Sequence, residues 1–498
     1  MSLKKIKQLK RSMLIRVLFL MIFCLAPYSI LHAQINAPND FLQGDGASSP
    51  TICKGRTYYV SSSGRDTAVG LTPAAAWATV SKVKKSSFLP GDCILFKRGD
   101  TWREQLLIPS SGSASGGNIT FGAYGTGNRP VIDGTGVILS KNQGLIRGNG
   151  KNYITVEDIR VQNSGIGKAA ENSGIGFYGG SYITVRNCEA YNTESSGIKF
   201  NTSSHVTVDG NEVSQACKNS RSESVSLSTI NTFEVKNNVI HDNGSPGFGG
   251  AGTDAKDGSH DGTIHHNEVY NINGSNAIYV DAYSKHTYNI EIYSNYIHDC
   301  TGAGFQIGSE SGGLLENVSV HHNIVHNTLK GGVAFHNVFP SSGAVKDIKI
   351  YNNTFYMNGQ SGVGQYGNIR VWDQLIENLV IKNNIMAKNY NFNVGIHQTT
   401  GPAPSKYTVD YNVIYGDQND TGGFAAVDGT NAKKSDPLFV DMSADDFHLQ
   451  SGSPARNACD NSVWRGIPNI KDYDGVPITD GSGNIVTPSG RVSCGAYE

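Results

Sequence analysis

The sequence predicts an all-β solenoid, a single-stranded parallel β-helix of about ten or more coils, and three observations carry that prediction. A phrase of alternating β-branched residues recurs as YITVEDI, YITVRNC, HVTVDGN, FEVKNN, TIHHN, IEIYSN, VSVHHN, IKIYNN, LVIKNN and YTVDYN. Aligned on Val156, Val185, Val208, Val235, Ile264, Ile292, Val320, Ile350, Ile381 and Val409, the steps run from 23 to 31 residues. Each repeat holds short runs of Val, Ile, Thr and Tyr bounded by Gly, Asn, Asp and Ser, with no useful apolar stripe at helical spacing. Three residues past the anchor stands an Asn: Asn211, Asn238, Asn267, Asn295, Asn323, Asn353, Asn384 and Asn412. Amides stacked one coil apart can bond each other along the axis. Leu at fixed offsets, or about four strands in a period of roughly 40 to 50 residues, would mark other repeat folds, and neither is present. Coils stacked at about 4.8 Å give a rod of roughly 48 Å plus caps.

The segments follow in order along the chain. Residues 1–33 combine a basic start (Lys4, Lys5, Lys7, Lys10, Arg11, Arg16), an apolar run from Ser12 to Leu31 and a cleavage position after Ala33, which reads as a secretory signal peptide. Residues 34–56 form a linker, 57–130 an N-terminal cap with the first coils, 131–430 the β-helix and 431–498 a C-terminal cap. A short amphipathic helix is expected near Trp77 to Lys85. Removing the leader takes Lys plus Arg from 41 to 35 against 42 Asp plus Glu, a net charge of −7. No basic stripe remains for nucleic acid, and no later segment is apolar enough to span a membrane. Of eight cysteines, Cys24 leaves with the leader. Export permits disulfides, and Cys53 with Cys93 and Cys459 with Cys494 would each staple one cap. Cys188, Cys217 and Cys300 read as buried coil residues.

The repeats resemble the right-handed parallel β-helix superfamily of pectate lyases and related polysaccharide enzymes, over most of the chain after residue 57. The opening TYYVSSSGRDTAVGLTPAAAWATVSKV and the closing SPARNACD, DYDGVP and CGAYE are similar to the caps of such proteins. The resemblance implies a right-handed single-stranded solenoid acting on a polysaccharide or oligosaccharide, expected as a monomer, and the leader implies a secreted, periplasmic or cell-surface location. Substrate does not follow, because one architecture carries unrelated chemistries.

A second strand in each coil aligns as IKFN, SLS, TDAK, IYVD, FQIG, VAFH and IRVW. Alternation sends Phe200, Val280, Ile307, Phe335 and Val371 inward. One outward column is then Lys199, Ser226, Asp254, Tyr279, Gln306, Ala334 and Arg370; its neighbour is Asn201, Ser228, Lys256, Asp281, Gly308, His336 and Trp372, with Glu310 at the edge. Asp also caps turns, so Asp254, Asp257, Asp261 and Asp281 have a bland alternative. The acids nevertheless gather on three successive coils, GTDAKDGSHDG, NAIYVDAYSKHTYNI and GAGFQIGSESGG. Tyr279, Tyr283 and Trp372 are candidates to stack on sugar rings, with packing as the alternative, while Lys199, Gln306, His336 and Arg370 are candidates to bind substrate.

Two chemistries fit that face. Glycoside hydrolysis needs two carboxyl groups, about 5 Å apart when one is a nucleophile, and adjacent coils are about that far apart. Asp281 is then the nucleophile and Glu310 the acid/base, tuned by Asp254, with no cofactor. IYVDAYSKHTYNI and FQIGSESGG also resemble the β-xylosidases of glycoside hydrolase family 120, whose Asp at a strand end and Glu on the next coil map to Asp281 and Glu310. Lyase chemistry needs a base and a cation such as Ca²⁺, which prefers carboxylate oxygens. TDAK and GAGFQIG resemble family 9 pectate lyases, which implies Asp254 as a metal ligand, with Asp257 and Asp281 completing the set. The base position of that family is occupied by Gln306, so Lys256 or His336 would have to serve. An epimerase, or a non-catalytic carbohydrate-binding or adhesive solenoid, stays open as a further alternative.

Other features carry no chemistry. His265, His266, His321 and His322 sit beside the Asn column where other coils have Tyr, Lys or Asn, so they read as structural. The Gly doublets mark turns, and no GxGxxG-like spacing has the strand-to-helix context of a nucleotide site.

Overall fold

The computed structural model describes residues 53–165, 171–218, 222–244, 250–335, 343–360, 366–373, 375–416, 423–487 and 491–497. The expected leader, most of the linker and His336 lie outside the described residues.

Each coil contributes one strand to each of three sheets, as in Thr287–Tyr293, Tyr296–His298 and Phe305–Gly308. Sheet A has 13 strands from Thr57–Val60 to Tyr407–Asp410, sheet B has 13 from Thr101–Trp102 to Lys433–Lys434, and sheet C has 12 from Leu106–Leu107 to Phe424–Ala426. Pairing within them is parallel except at the end of sheet C, where Phe424–Ala426 runs antiparallel to Val394–His397. The repeat fixes this register one to one: Val185 pairs with Val208, Val208 with Val235 and Val235 with Ile264. Alternate residues fill the axis, and Phe200, Val280, Ile307, Phe335 and Val371 are all buried there. Gly262 interrupts the column beneath Phe233, and a Cβ at that glycine would lie 2.2 Å from the ring.

The corner between sheets A and B explains the Asn phrase. The residue between the sheet A strand and the Asn is left-handed, with φ of 55° at Asn237, 52° at His266, 50° at Ser294, 51° at His322 and 52° at Asn352. That bend turns the following Asn inward. Each amide then donates to the next, Asn267 to Asn295 at 2.9 Å and Asn295 to Asn323 at 2.9 Å, in a ladder running from Asn211 to Asn412. Cys188 occupies the ladder position one coil earlier, where its backbone N–H donates to Asn211 Oδ1 at 2.9 Å. The thiol is buried, which pushes it up to about 12. Cys217 and Cys300 are likewise buried and unpaired, while Cys53–Cys93 and Cys459–Cys494 are disulfides.

At the N-terminus the helix is shorter than expected, Val80–Lys84. Asp66 accepts the Ala78 and Thr79 backbone N–H groups and keeps the chain extended up to the Thr79 cap, so Trp77 is buried in a bridge to Val60 instead. At the other end, residues 436–487 and 491–497 return along the flank of the rod. Trp464 stacks on His322 with ring centroids 5.0 Å apart, Phe447 lies 5.4 Å from His326, and Asn352 donates to the Ser493 carbonyl at 2.9 Å. The histidines of the HHN phrases are thus committed to packing: His265 and His321 each stack on Tyr293.

Candidate active site on sheet C

Strand register assembles the outward columns of sheet C. Lys199 pairs with Ser226, Asp254 with Tyr279, Tyr279 with Gln306, Gln306 with Ala334 and Ala334 with Arg370. In the neighbouring column Lys256 pairs with Asp281 and Asp281 with Gly308. The acids are nevertheless covered, with Asp254 at 0% and Asp281 at 2% exposure. An open sheet face would hydrate both carboxylates. Here the surrounding protein removes both from water, and this burial dominates their chemistry.

Lys256 lies between two carboxylates, with Nζ 2.6 Å from Glu223 and 2.8 Å from Asp254. Asp254 also accepts from the Leu227 N–H at 2.6 Å and the Ser226 hydroxyl at 3.3 Å. Burial alone would depress the ammonium, but Asp254 and Glu223 overcome it and hold Lys256 well above its usual range. The converse holds for Glu223, where Lys256 outweighs burial and keeps the carboxyl low. Asp254 is pushed up to about 7 by burial and by the Glu223 charge, against the pull of Lys256. Glu223 has no place in the sequence reading: it precedes the strand Val225–Ser228, in a loop without the repeat's pattern, and only the fold carries it to Lys256.

One coil further, Asp281 is pushed up to about 8, first by burial and then by the neighbouring negative charge of Glu310. It therefore holds a proton at neutral pH. Its Oδ1 is buried and has no hydrogen-bond partner. The Tyr279 hydroxyl donates to Glu310 Oε1, and burial beside Asp281 and Glu310 raises that phenol far above its usual value. The Glu310 loop is tied to the Asp281 loop by the Ser311 N–H donating to the Tyr283 carbonyl at 2.7 Å. These contacts set Asp281 and the Tyr279-bonded Glu310 on adjacent coils, near enough for Glu310 to act on Asp281.

The remaining candidates divide. Tyr283 is 47% exposed beside the acids and free to meet a sugar face. Trp372 already stacks on His397 at 4.7 Å and meets Phe424 edge-on, so packing accounts for it. Gln306 accepts from the Asn276 side chain. The expected calcium set of Asp254, Asp257 and Asp281 is not assembled. Asp254 lies 2.8 Å from the Lys256 ammonium, and Asp257 accepts from the Ser284 N–H and hydroxyl at 3.2 Å. Among the described residues no group of three His, Cys, Asp or Glu is placed to hold a metal ion.

A polar groove of about 710 Å³ lies elsewhere, on the outer face of sheet A, lined by Tyr153, Thr184, Arg186 and Glu234 among others. Its acid Glu234 is held below the usual carboxylate range, where burial is outweighed by Lys236 and His265, whereas Asp254 and Asp281 on sheet C are raised.

Together these features define a right-handed, single-stranded parallel β-helix protein with a loop-covered acidic cluster at mid-rod. The family described as "Right handed beta helix region" matches residues 123–217 and 173–340. The uncharacterized protein YwoF of Bacillus subtilis (strain 168) is 25% identical over 452 residues, covering 80% of this chain and 92% of that protein. Among solved structures, pectate lyase Pel9A is similar at 15% identity, with 87% of this chain and 99% of that chain covered and a TM-score of 0.49. The GH136 lacto-N-biosidase from Eubacterium ramulus is similar at 14% identity, with 76% and 68% covered and a TM-score of 0.46. These structural likenesses are likenesses of fold. Among the described residues no helix is long and apolar enough to cross a membrane.

Proposed function

We propose that this protein is an exported carbohydrate-active enzyme that hydrolyses glycosidic bonds on sheet C, with Asp281 as general acid and Glu310 as its partner carboxylate. The observation that carries the proposal is the Asp281 carboxyl, buried beside Glu310 with Oδ1 unpartnered, an environment that pushes it up to about 8. Two carboxyl groups held in different protonation states are what hydrolysis of a glycoside requires. The roles are the reverse of the sequence expectation, because the more deeply buried member keeps the proton. Asp281 protonates the leaving oxygen, while Glu310, held by Tyr279, attacks the anomeric carbon or activates water. The ion cluster of Lys256, Glu223 and Asp254 stays beneath, and its Asp254 charge adds to the forces raising Asp281. The two disulfides fit an exported chain.

Lyase chemistry finds less support. Lys256, paired with two carboxylates, stays protonated and is a poor base, and the calcium set is not assembled. Incubation with a panel of polysaccharides and oligosaccharides tests the proposal. New reducing ends without the ultraviolet absorbance of an unsaturated uronate are expected, and are expected to vanish in Asp281→Asn and Glu310→Gln. An unsaturated product, or full activity in both variants, would overturn it.

A further inference from the structure

Three cations on the sheet C face stand without a carboxylate partner among the described residues. Around the coils Arg98 pairs with Asp158, Arg160 with Glu189 and Arg186 with Glu157. Among the described residues, Arg147, Lys199 and Arg370 make no ion pair with any carboxylate. All three stand in the outward column that contains Asp254 and Tyr279, since Arg147 pairs with Gly176 and Gly176 with Lys199. Arg370 is only 9% exposed, its guanidinium lies over the Tyr366 ring at 4.6 Å, and its Nε is buried without a hydrogen-bond partner. Arg147 repeats the arrangement, over the Tyr178 ring at 5.2 Å with its Nε also unpartnered. A buried cation without a counter-ion is costly, and burial lowers the affinity of Arg370 for its proton. Such a group persists where a ligand supplies the missing anion.

Their placement along the axis is as informative as their lack of partners. From the Asp281 strand Ile278–Asp281, Lys199 lies three coils toward the N-terminal end and Arg370 three coils toward the C-terminal end. At about 4.8 Å per coil, each is roughly 14 Å from the acids. Acids at the centre would repel an anion, so the cations stand where charge can be met without disturbing the acid pair.

We infer that the glycan bound on sheet C is anionic, carrying carboxylate or sulfate groups that meet Arg370 on one side of the acid cluster and Lys199 on the other. The inference rests on the proposed use of this face and adds its substrate class. Guanidinium on a flat aromatic ring presents its edge to a planar or tetrahedral oxyanion, a geometry suited to either group.

Affinity electrophoresis of the wild-type protein in gels containing polygalacturonate, a sulfated galactan or neutral arabinoxylan reads this directly. Retardation by one or both anionic glycans and not by arabinoxylan is expected, and which one retards distinguishes carboxylate from sulfate recognition. Arg370→Gln and Lys199→Gln should each weaken that binding by about tenfold to a hundredfold, with Arg370→Lys recovering part of it. Thermal unfolding confirms that each variant is folded, as removal of an unpaired cation should leave it. Equal retardation by arabinoxylan, or anionic binding unchanged in both Gln variants, would overturn the inference. Binding is measured without cleavage, so failure of the acid-pair proposal shows separately, as hydrolysis that survives Asp281→Asn.

Discussion

Replacing Asp281 with Asn tests the site most directly, because the substitution keeps the shape of the side chain and removes only its transferable proton. A positioned general acid contributes about 10² to 10⁴ in rate, which is about 3 to 5 kcal/mol of transition-state stabilisation. Under the proposed mechanism, loss of the Asp281 proton should set the alkaline limb of the wild-type rate profile near pH 8, where burial and the Glu310 charge place it. The variant should lose about 10²-fold or more on natural glycosides and lose that limb altogether. A glycoside with an activated aryl leaving group, which needs no protonation, should recover much of the rate. Initial rates from pH 5 to about pH 10 on both substrates provide the assay. An Asp281→Asn variant with the wild-type alkaline limb, or with equal losses on both substrates, would show that the proton comes from elsewhere.

Three further outcomes follow from the same geometry. Asp281 titrates near 3.8 in an exposed chain and near 8 in the fold, so the folded state holds the additional proton between those values; the resulting stability is fully present below about pH 4 and is lost as pH rises to about 8. Chemical unfolding should therefore show the difference between Asp281→Asn and wild type growing in the variant's favour over that window, and shrinking in a Glu310→Gln background. Lys256→Met leaves Glu223 and Asp254 buried together without their cation, and should cost about 3 to 5 kcal/mol in denaturant unfolding at neutral pH. Asn295→Ala strips the Asn267 N–H and Nδ2 of their acceptor at 3.1 and 2.9 Å and the Ile264 carbonyl of its donor at 2.9 Å, a loss of roughly 3 to 5 kcal/mol in the same assay.

The sequence by itself determined the solenoid, the register and the two outward columns. Those are local and periodic properties: a β-branched alternation, a left-handed corner and a buried Asn recur at nearly fixed spacing, so pairing Val185 with Val208 sets every later pair. Cap disulfides were legible too, because one bridge within each cap was the economical pairing. Tertiary structure alone decided the protonation states. In sequence Asp281 read as the nucleophile and Glu310 as the acid/base, and the burial of Asp281 beside Glu310, visible only in the fold, is what supports the reversed roles proposed for them. Glu223 became visible only where the fold places it 2.6 Å from Lys256, whose ammonium also lies 2.8 Å from Asp254. Periodicity specifies which residues share a face; burial and charge at that face depend on loops that break the period, and the chemistry depends on them.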